Sequence, residues 1–208
     1  MSKILDNAYV DDTAKVYGNA EVYGNSKIFG YARVYGSAQV YDNAQVYDDA
    51  IVYDYSKVYG NAIVKDTARV YGNAEVYGNA KICDNTKICG KANIYDNAEV
   101  YGNSQVYNKA RLYENAVLYG NSIAYDFSEI YGNTIIDGYV IISGSSKIYG
   151  NVKIYTNKKK LLPIIIENYS VLCGNSIIMS TDDNNGQIRI DANIRGKARI
   201  KNKSIIIK

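Results

Sequence analysis

Asparagine returns at every eighteenth residue without a break, at Asn7, Asn25, Asn43, Asn61, Asn79, Asn97, Asn115, Asn133 and Asn151. Tyrosine keeps the same step beside it, at Tyr23, Tyr41, Tyr59, Tyr77, Tyr95, Tyr113, Tyr131 and Tyr149. Within each eighteen lie three six-residue units of the form small, variable, aliphatic, Tyr, Gly or Asp, Asn, as in Ala20-Glu21-Val22-Tyr23-Gly24-Asn25. A strict internal period of this kind defines a stacked repeat architecture. Most of the chain is therefore committed to building a rod.

The chemistry of each hexad position follows from the two-residue period of a strand. Positions one (Ala14, Ala20, Ser26) and three (Val16, Val22, Ile28) fall on one face and must meet a core. Positions two and four, a mostly polar residue and a Tyr, fall on the other face and point outward. Positions five and six form a corner, where Gly and Asn tolerate the positive φ of a sharp turn. Each hexad is thus a short strand plus a corner. Three hexads close a triangular coil, and coils stack as parallel strands about 4.8 Å apart. About 34 hexads give about 11 coils and a prism roughly 50 Å long at that spacing. A helical reading fails because the apolar spacing does not follow a 3.6 period and the corners would break any helix.

With these residues in hand, the run Val-Tyr-Gly-Asn-Ala-x resembles the hexapeptide-repeat left-handed parallel β-helix superfamily. The resemblance covers residues 2–157 and returns over 170–208. It implies the left hand and, because such proteins are commonly trimers, a homotrimer. Tyr at position four departs from the family, where Gly, Ala, Glu or Asp is more usual. The expected fold is an all-β, single-stranded, triangular solenoid forming one domain over 1–208. It divides into regular hexads over 2–157, an irregular segment at 158–163, hexads over 164–180, a loop insertion at 181–185 and basic coils over 186–208. The irregular segment is read as either a distorted strand or a bulging loop that replaces one hexad. In that frame Val117, Ile135 and Val171 fall on the second face of the prism, and Ile123, Ile141 and Ile177 on the third.

Composition narrows the chemistry. The chain has no histidine. Acyltransferases of the resembled superfamily use a histidine base, and its carbonic anhydrases hold metal with histidines, so neither site is expected here. A Ser/His/Asp arrangement is excluded outright. Cys83, Cys89 and Cys173 are too far apart along the rod for a three-thiolate metal site. Cys83 and Cys89 occupy Tyr positions on neighbouring faces and point apart, so they are read as free thiols. Acidic corners such as Asp42, Asp48 and Asp84 alternate with Gly and read as turn residues. No cofactor, metal or catalytic group is expected. Because Met1 leads straight into a hexad, no secretory leader is expected, and no apolar run is long enough to span a bilayer. With unpaired cysteines, this leads to the expectation of a cytoplasmic protein without membrane contact.

Two surfaces remain as candidate sites. The first is a basic and aromatic face of Lys15, Tyr17, Arg33, Tyr35, Arg69, Tyr71 and Lys87. It can be read as a track for a single nucleic-acid strand or as a plain aromatic ladder with cation–π neighbours. A net charge of +3 favours the second reading. The other surface is an outward aliphatic cluster of Val117, Ile123, Ile135, Ile141, Val171 and Ile177, with Phe127 and Tyr139 at corners where Asn is usual. Apolar groups in outward positions are candidates for an interface with a protein partner or a second copy of the chain. The 158–163 segment is expected to cover part of it. From residue 158 onward Lys and Arg outnumber Asp and Glu, with Arg189, Arg195, Arg199 and Lys201 outward. This is read as protection of the last strand edge in preference to a binding patch. The expected function is that of a non-enzymatic scaffold or protein-interaction module. The alternatives are an inhibitor that blocks a nucleic-acid-handling protein and, less favoured without histidine, an acyltransferase-like enzyme.

Overall fold

A computed structural model describes residues 1–156, 163–180, 188–197, 199–201 and 206–207, the last two stretches by backbone alone. Every regular element in the described residues is a strand, and most strands are two residues long, as in Glu21–Val22, Lys57–Val58 and Lys81–Ile82. Only positions two and three of a hexad are strand, so the strands are shorter than the four positions the alternation predicts. They form three parallel sheets of eleven strands. The first begins at Lys3–Ile4, the second at Tyr9–Val10 and the third at Lys15–Val16. Consecutive strands in the chain go to different sheets, which closes a triangle every three hexads. Each strand pairs with the equivalent strand of the next coil, as in Glu21↔Gln39 and Val22↔Val40.

The in/out assignment holds. Ala74, Val76, Ala80 and Ile82 are fully buried, as are their equivalents in the coils from Ala20 to Leu172, whereas Ala8, Val10, Ala14 and Val16 of the first coil are only partly covered and Ile4 is exposed. Several serines at position one bond to a carbonyl three residues back: Ser56 Oγ donates to the Tyr53 carbonyl at 2.7 Å. Full burial of a Val or Ile contributes ~1.5–3 kcal/mol before chain entropy is counted, and the gain recurs in every coil.

The two corner residues divide their work differently from the sequence expectation. Positive φ falls at position five alone, on glycines such as Gly24 (φ 70) and on aspartates such as Asp42 (φ 58) and Asp84 (φ 57). Asn at position six is not needed for the turn. Its side chain forms a ladder parallel to the axis. Asn61 Nδ2 donates to Asn79 Oδ1 at 3.1 Å, Asn79 to Asn97 at 3.0 Å, and the series runs unbroken from Asn7 to Asn175.

One expectation about the later coils is corrected. Asn151 bonds to Asn175 at a separation of 24 residues, six more than in the regular coils. Lys147 pairs with Val171, and Lys153 with Ile177. The extra six residues therefore do not stand in for a wall. They are taken up between Lys153–Tyr155 of the second sheet and Ile164–Ile166 of the third. As a result Val171 lies on the first face and Ile177 on the second. The in/out phase survives because six is even, so no side chain is flipped to the other side of its sheet. Most of the 158–163 segment and all of the 181–185 loop lie outside the described residues, as do Gly186, Ala198, Ser204 and the side chains of Arg199 and Lys201.

Candidate interaction faces

The basic and aromatic residues of the first candidate surface do share one wall. Lys15, Arg33, Arg69 and Lys87 take the outward strand position of the third sheet, with Lys15 directly opposite Arg33 and Arg69 directly opposite Lys87. Ile51 sits between the two pairs, against Arg33 on one side and Arg69 on the other. Beside them Tyr17, Tyr35, Tyr53 and Tyr71 stack with ring centroids 4.8, 5.1 and 4.9 Å apart and ring planes within 12°. The stack ends at Cys89. A hydrogen bond with that thiol, followed by burial, pushes the Tyr71 phenol up to about 12. Burial also raises Tyr35, with Tyr17 adding to it and Arg33 and Arg69 pulling the other way. Because each inner ring is covered on both faces by its neighbours, Tyr35 and Tyr53 offer only phenol edges and hydroxyls to solvent, and the end ring Tyr17 keeps one outer face uncovered by the stack.

The three walls treat charge differently. On the first wall the cations are paired along the axis: Lys3 with Glu21 at 2.7 Å, Lys57 with Glu75 at 3.5 Å, and Arg111 and Lys147 with Glu129 at 3.8 and 3.3 Å. The Tyr23–Tyr149 stack runs beside this column without interruption, at centroid spacings of 4.7 to 5.0 Å. On the second wall Lys81 pairs with Glu99 at 2.8 Å. Among the described residues, no ion pair involves Lys15, Arg33, Arg69 or Lys87. Three of the corner carboxylates next to this wall are turned to the backbone of the next coil. Asp54 accepts the Gly72 N–H at 3.2 Å, Asp66 the Asp84 N–H at 3.1 Å, and Asp84 the Gly102 N–H at 2.8 Å.

The aliphatic cluster is divided among the walls. Val117, Ile135 and Ile177 lie on the second, with Lys153 between the last two. Ile123 and Ile141 lie on the third, and Val171 stands alone on the first between Lys147 and Asn193. Sequence reasoning missed Ile165, which continues the third-wall column directly after Ile141. Three consecutive coils there present half-buried isoleucines outward. Phe127 is 58% exposed and Tyr169 81% exposed at the corner between the third and first walls, next to this column. The Lys109 ammonium sits 4.8 Å from the centre of the Phe127 ring. Tyr139 is half-buried at the opposite corner, where its N–H is held by Thr156 Oγ1 at 2.6 Å.

The described residues hold no group of three or more metal-ligating side chains. The three cysteines are free, and burial pushes the Cys83 thiol up to about 11. Among the described residues no helix is long and apolar enough to cross a membrane.

Three parallel sheets, eighteen-residue coils and an unbroken asparagine ladder along one corner define a triangular β-solenoid of the hexapeptide-repeat kind. The YdcK beta solenoid repeat, as a family pattern, matches residues 38–54 and again 44–57, so this stretch of the chain is similar to that repeat. Among curated proteins none matches the chain.

Proposed function

We propose that the protein is a non-enzymatic rigid scaffold whose C-terminal half associates with protein through the outward isoleucines of its third wall. The observation that carries this reading is the column Ile123, Ile141 and Ile165, in register on consecutive coils. The fold has no use for aliphatic groups there, because the core is filled by the inward positions. Phe127 and Tyr169 extend the same apolar surface onto the neighbouring edge. Contiguous apolar surface of this sort on a soluble protein marks an association site. The occupant we favour is a second copy of the chain, in line with the oligomeric habit of the proteins it resembles.

Light scattering of the wild type and of Ile123→Lys with Ile141→Lys tests this. Self-association predicts a wild-type mass of two or more chains that falls to one in the variant, with the melting temperature of the single chain retained. A monomeric wild type directs the test to an external protein, captured from the source cell by wild type and lost with the variant. If the wild type is monomeric and captures nothing that the variant does not, the reading fails.

A further inference from the structure

We infer that the N-terminal half of the third wall is a binding strip for the phosphate backbone of a single-stranded nucleic acid, held by charge and without reading of the bases. This does not rest on the association proposed for the C-terminal half.

The first support is a conflict inside the fold. Like charges placed directly opposite one another across paired strands are destabilising. The third wall does this twice, with Lys15 against Arg33 and Arg69 against Lys87. The first wall shows that the same scaffold accommodates alternating charge, since its cations are paired with Glu21, Glu75 and Glu129. A local arrangement that works against stability without a compensating contact points to function. An anion lying along the wall supplies the missing compensation.

The second support is the arrangement of donors. The four cations span four coil steps, roughly 19 Å at the strand spacing. The hydroxyls of Tyr17, Tyr35, Tyr53 and Tyr71 run parallel to them, one per coil. Lys, Arg and Tyr side chains are all donors to phosphate oxygens. Asp11, Asp12, Asp48 and Asp49 stand at the corner beside the strip; Asp11 is taken up by the Asp12 N–H and the Thr13 hydroxyl, and Asp49 shares a shallow hollow with Thr13, Lys15, Tyr31 and Arg33. Among the described residues none of these four forms an ion pair with Lys15 or Arg33. Other nearby acids, Asp54, Asp66 and Asp84, are hydrogen-bonded to backbone N–H groups of the next coil.

The third support selects the partner. A straight row of donors at constant pitch suits a chain that carries one charge per unit and can be drawn out along a line. A single strand does this, whereas the backbone of a duplex winds away from a flat wall. Stacking of bases on aromatic rings is the usual second component of single-strand binding. Here the ring faces are closed by one another, so that component is missing inside the stack. Contact is left to phosphate, sugar and phenol, which makes the strip indifferent to sequence. Its length covers about four nucleotides, the short end of single-strand sites.

The test is fluorescence anisotropy of a labelled twelve-nucleotide oligothymidylate against the full chain over a series of salt concentrations. Neutralising four phosphates predicts a slope of about −3 in log K against log salt. A mixed-sequence oligonucleotide should bind within about threefold of it. Lys15→Gln with Arg33→Gln, and separately Arg69→Gln with Lys87→Gln, should each remove about half of that slope. All four together should abolish binding. Arg111→Gln with Lys147→Gln, whose cations are paired, should leave binding unchanged. Removing like-charge neighbours should leave the melting temperature equal or higher; should the fourfold variant fail to fold, the two pair variants carry the test. No binding at the lowest salt, or a slope that ignores the substitutions, overturns the proposal. So does equal binding of a hairpin duplex, or equal displacement by polyglutamate, which would make the partner an acidic protein segment.

Discussion

The carboxylate of Asp42 accepts the backbone N–H of Gly60, one coil further along the axis, at 3.1 Å. Asp42 holds φ at 58, a conformation that costs an ordinary side chain roughly 1–2 kcal/mol. The hydrogen bond to the next coil offsets that cost. This explains why position five accepts only Gly or Asp in most coils. Gly avoids the strain and Asp is compensated for it. Asp42→Ala keeps the strain and loses the bond, so it should destabilise by about 1–2 kcal/mol. Asp42→Gly should cost less than half as much. Urea unfolding at pH 7 measures both, and an Asp42→Ala protein as stable as the wild type would show that the carboxylate is not holding the corner.

Ala80 is fully buried in the triangular interior, whereas Glu75 faces outward and pairs loosely with Lys57 at 3.5 Å. Ala80→Leu should overpack the coil and cost about 1–3 kcal/mol. Glu75→Leu should change stability by no more than about 0.5 kcal/mol. Thermal unfolding of the two variants compares them directly, and a reversed order would invert the inside and outside of the prism.

Buried serines at position one are not equivalent. The Ser56 hydroxyl donates to the Tyr53 carbonyl at 2.7 Å and lies 3.2 Å from that of Val70. The Ser104 and Ser128 hydroxyls have no partner. Ser56→Ala should therefore lose about 1 kcal/mol. Ser104→Ala and Ser128→Ala should be neutral or stabilising, because an unsatisfied buried hydroxyl is removed. Denaturant midpoints for the three alanine variants separate the classes.

Alkaline pH should unfold the rod through its tyrosines. Burial is the leading cause that pushes the Tyr41 phenol up to about 12, and Tyr71 reaches about 12 mainly through its bond with Cys89. An unfolded phenol titrates near 10. The folded state therefore keeps its phenol protons where the unfolded chain gives them up. The stability they contribute is fully present below pH 10 and lost as pH rises from about 10 to about 12. Tyrosinate absorbance and circular dichroism followed together should change in one step inside that window. Titration of the stacked tyrosines at pH 10 with the fold intact would contradict it.

The repeat made the architecture legible because each hexad position has one physical job and repeats it. Small residues, aliphatics and corners could be assigned one by one, and the structure keeps those assignments even through the break. The fate of the extra six residues after Asn157 was not legible by counting alone. A segment of six preserves the in/out phase whether it forms a wall or bulges at a corner, so only pairing of Lys147 with Val171 decides. That uncertainty misplaced Val171 and Ile177 and hid Ile165. The Asn ladder was visible as a period, but its purpose was not. Sequence shows an Asn at each corner, whereas the bond from Asn61 to Asn79 appears only when coils are stacked. The basic strip was visible as residue types on one wall. Its distinguishing property, cations without acidic partners, needed the ion pairs of the other walls for contrast.

The bond from Asn151 to Asn175 has a consequence for how such a rod can be resized. Angular position about the axis is set by which strand a residue pairs with, not by its distance along the chain. A corner can lengthen without rotating anything that follows, and whole turns can be added or removed while each wall keeps its compass direction. Any two features on one wall are then separated by an integral number of pitches, like marks on a threaded bolt. The spacing between the basic strip and the isoleucine column can therefore change only in steps of one turn, and their common heading cannot drift at all.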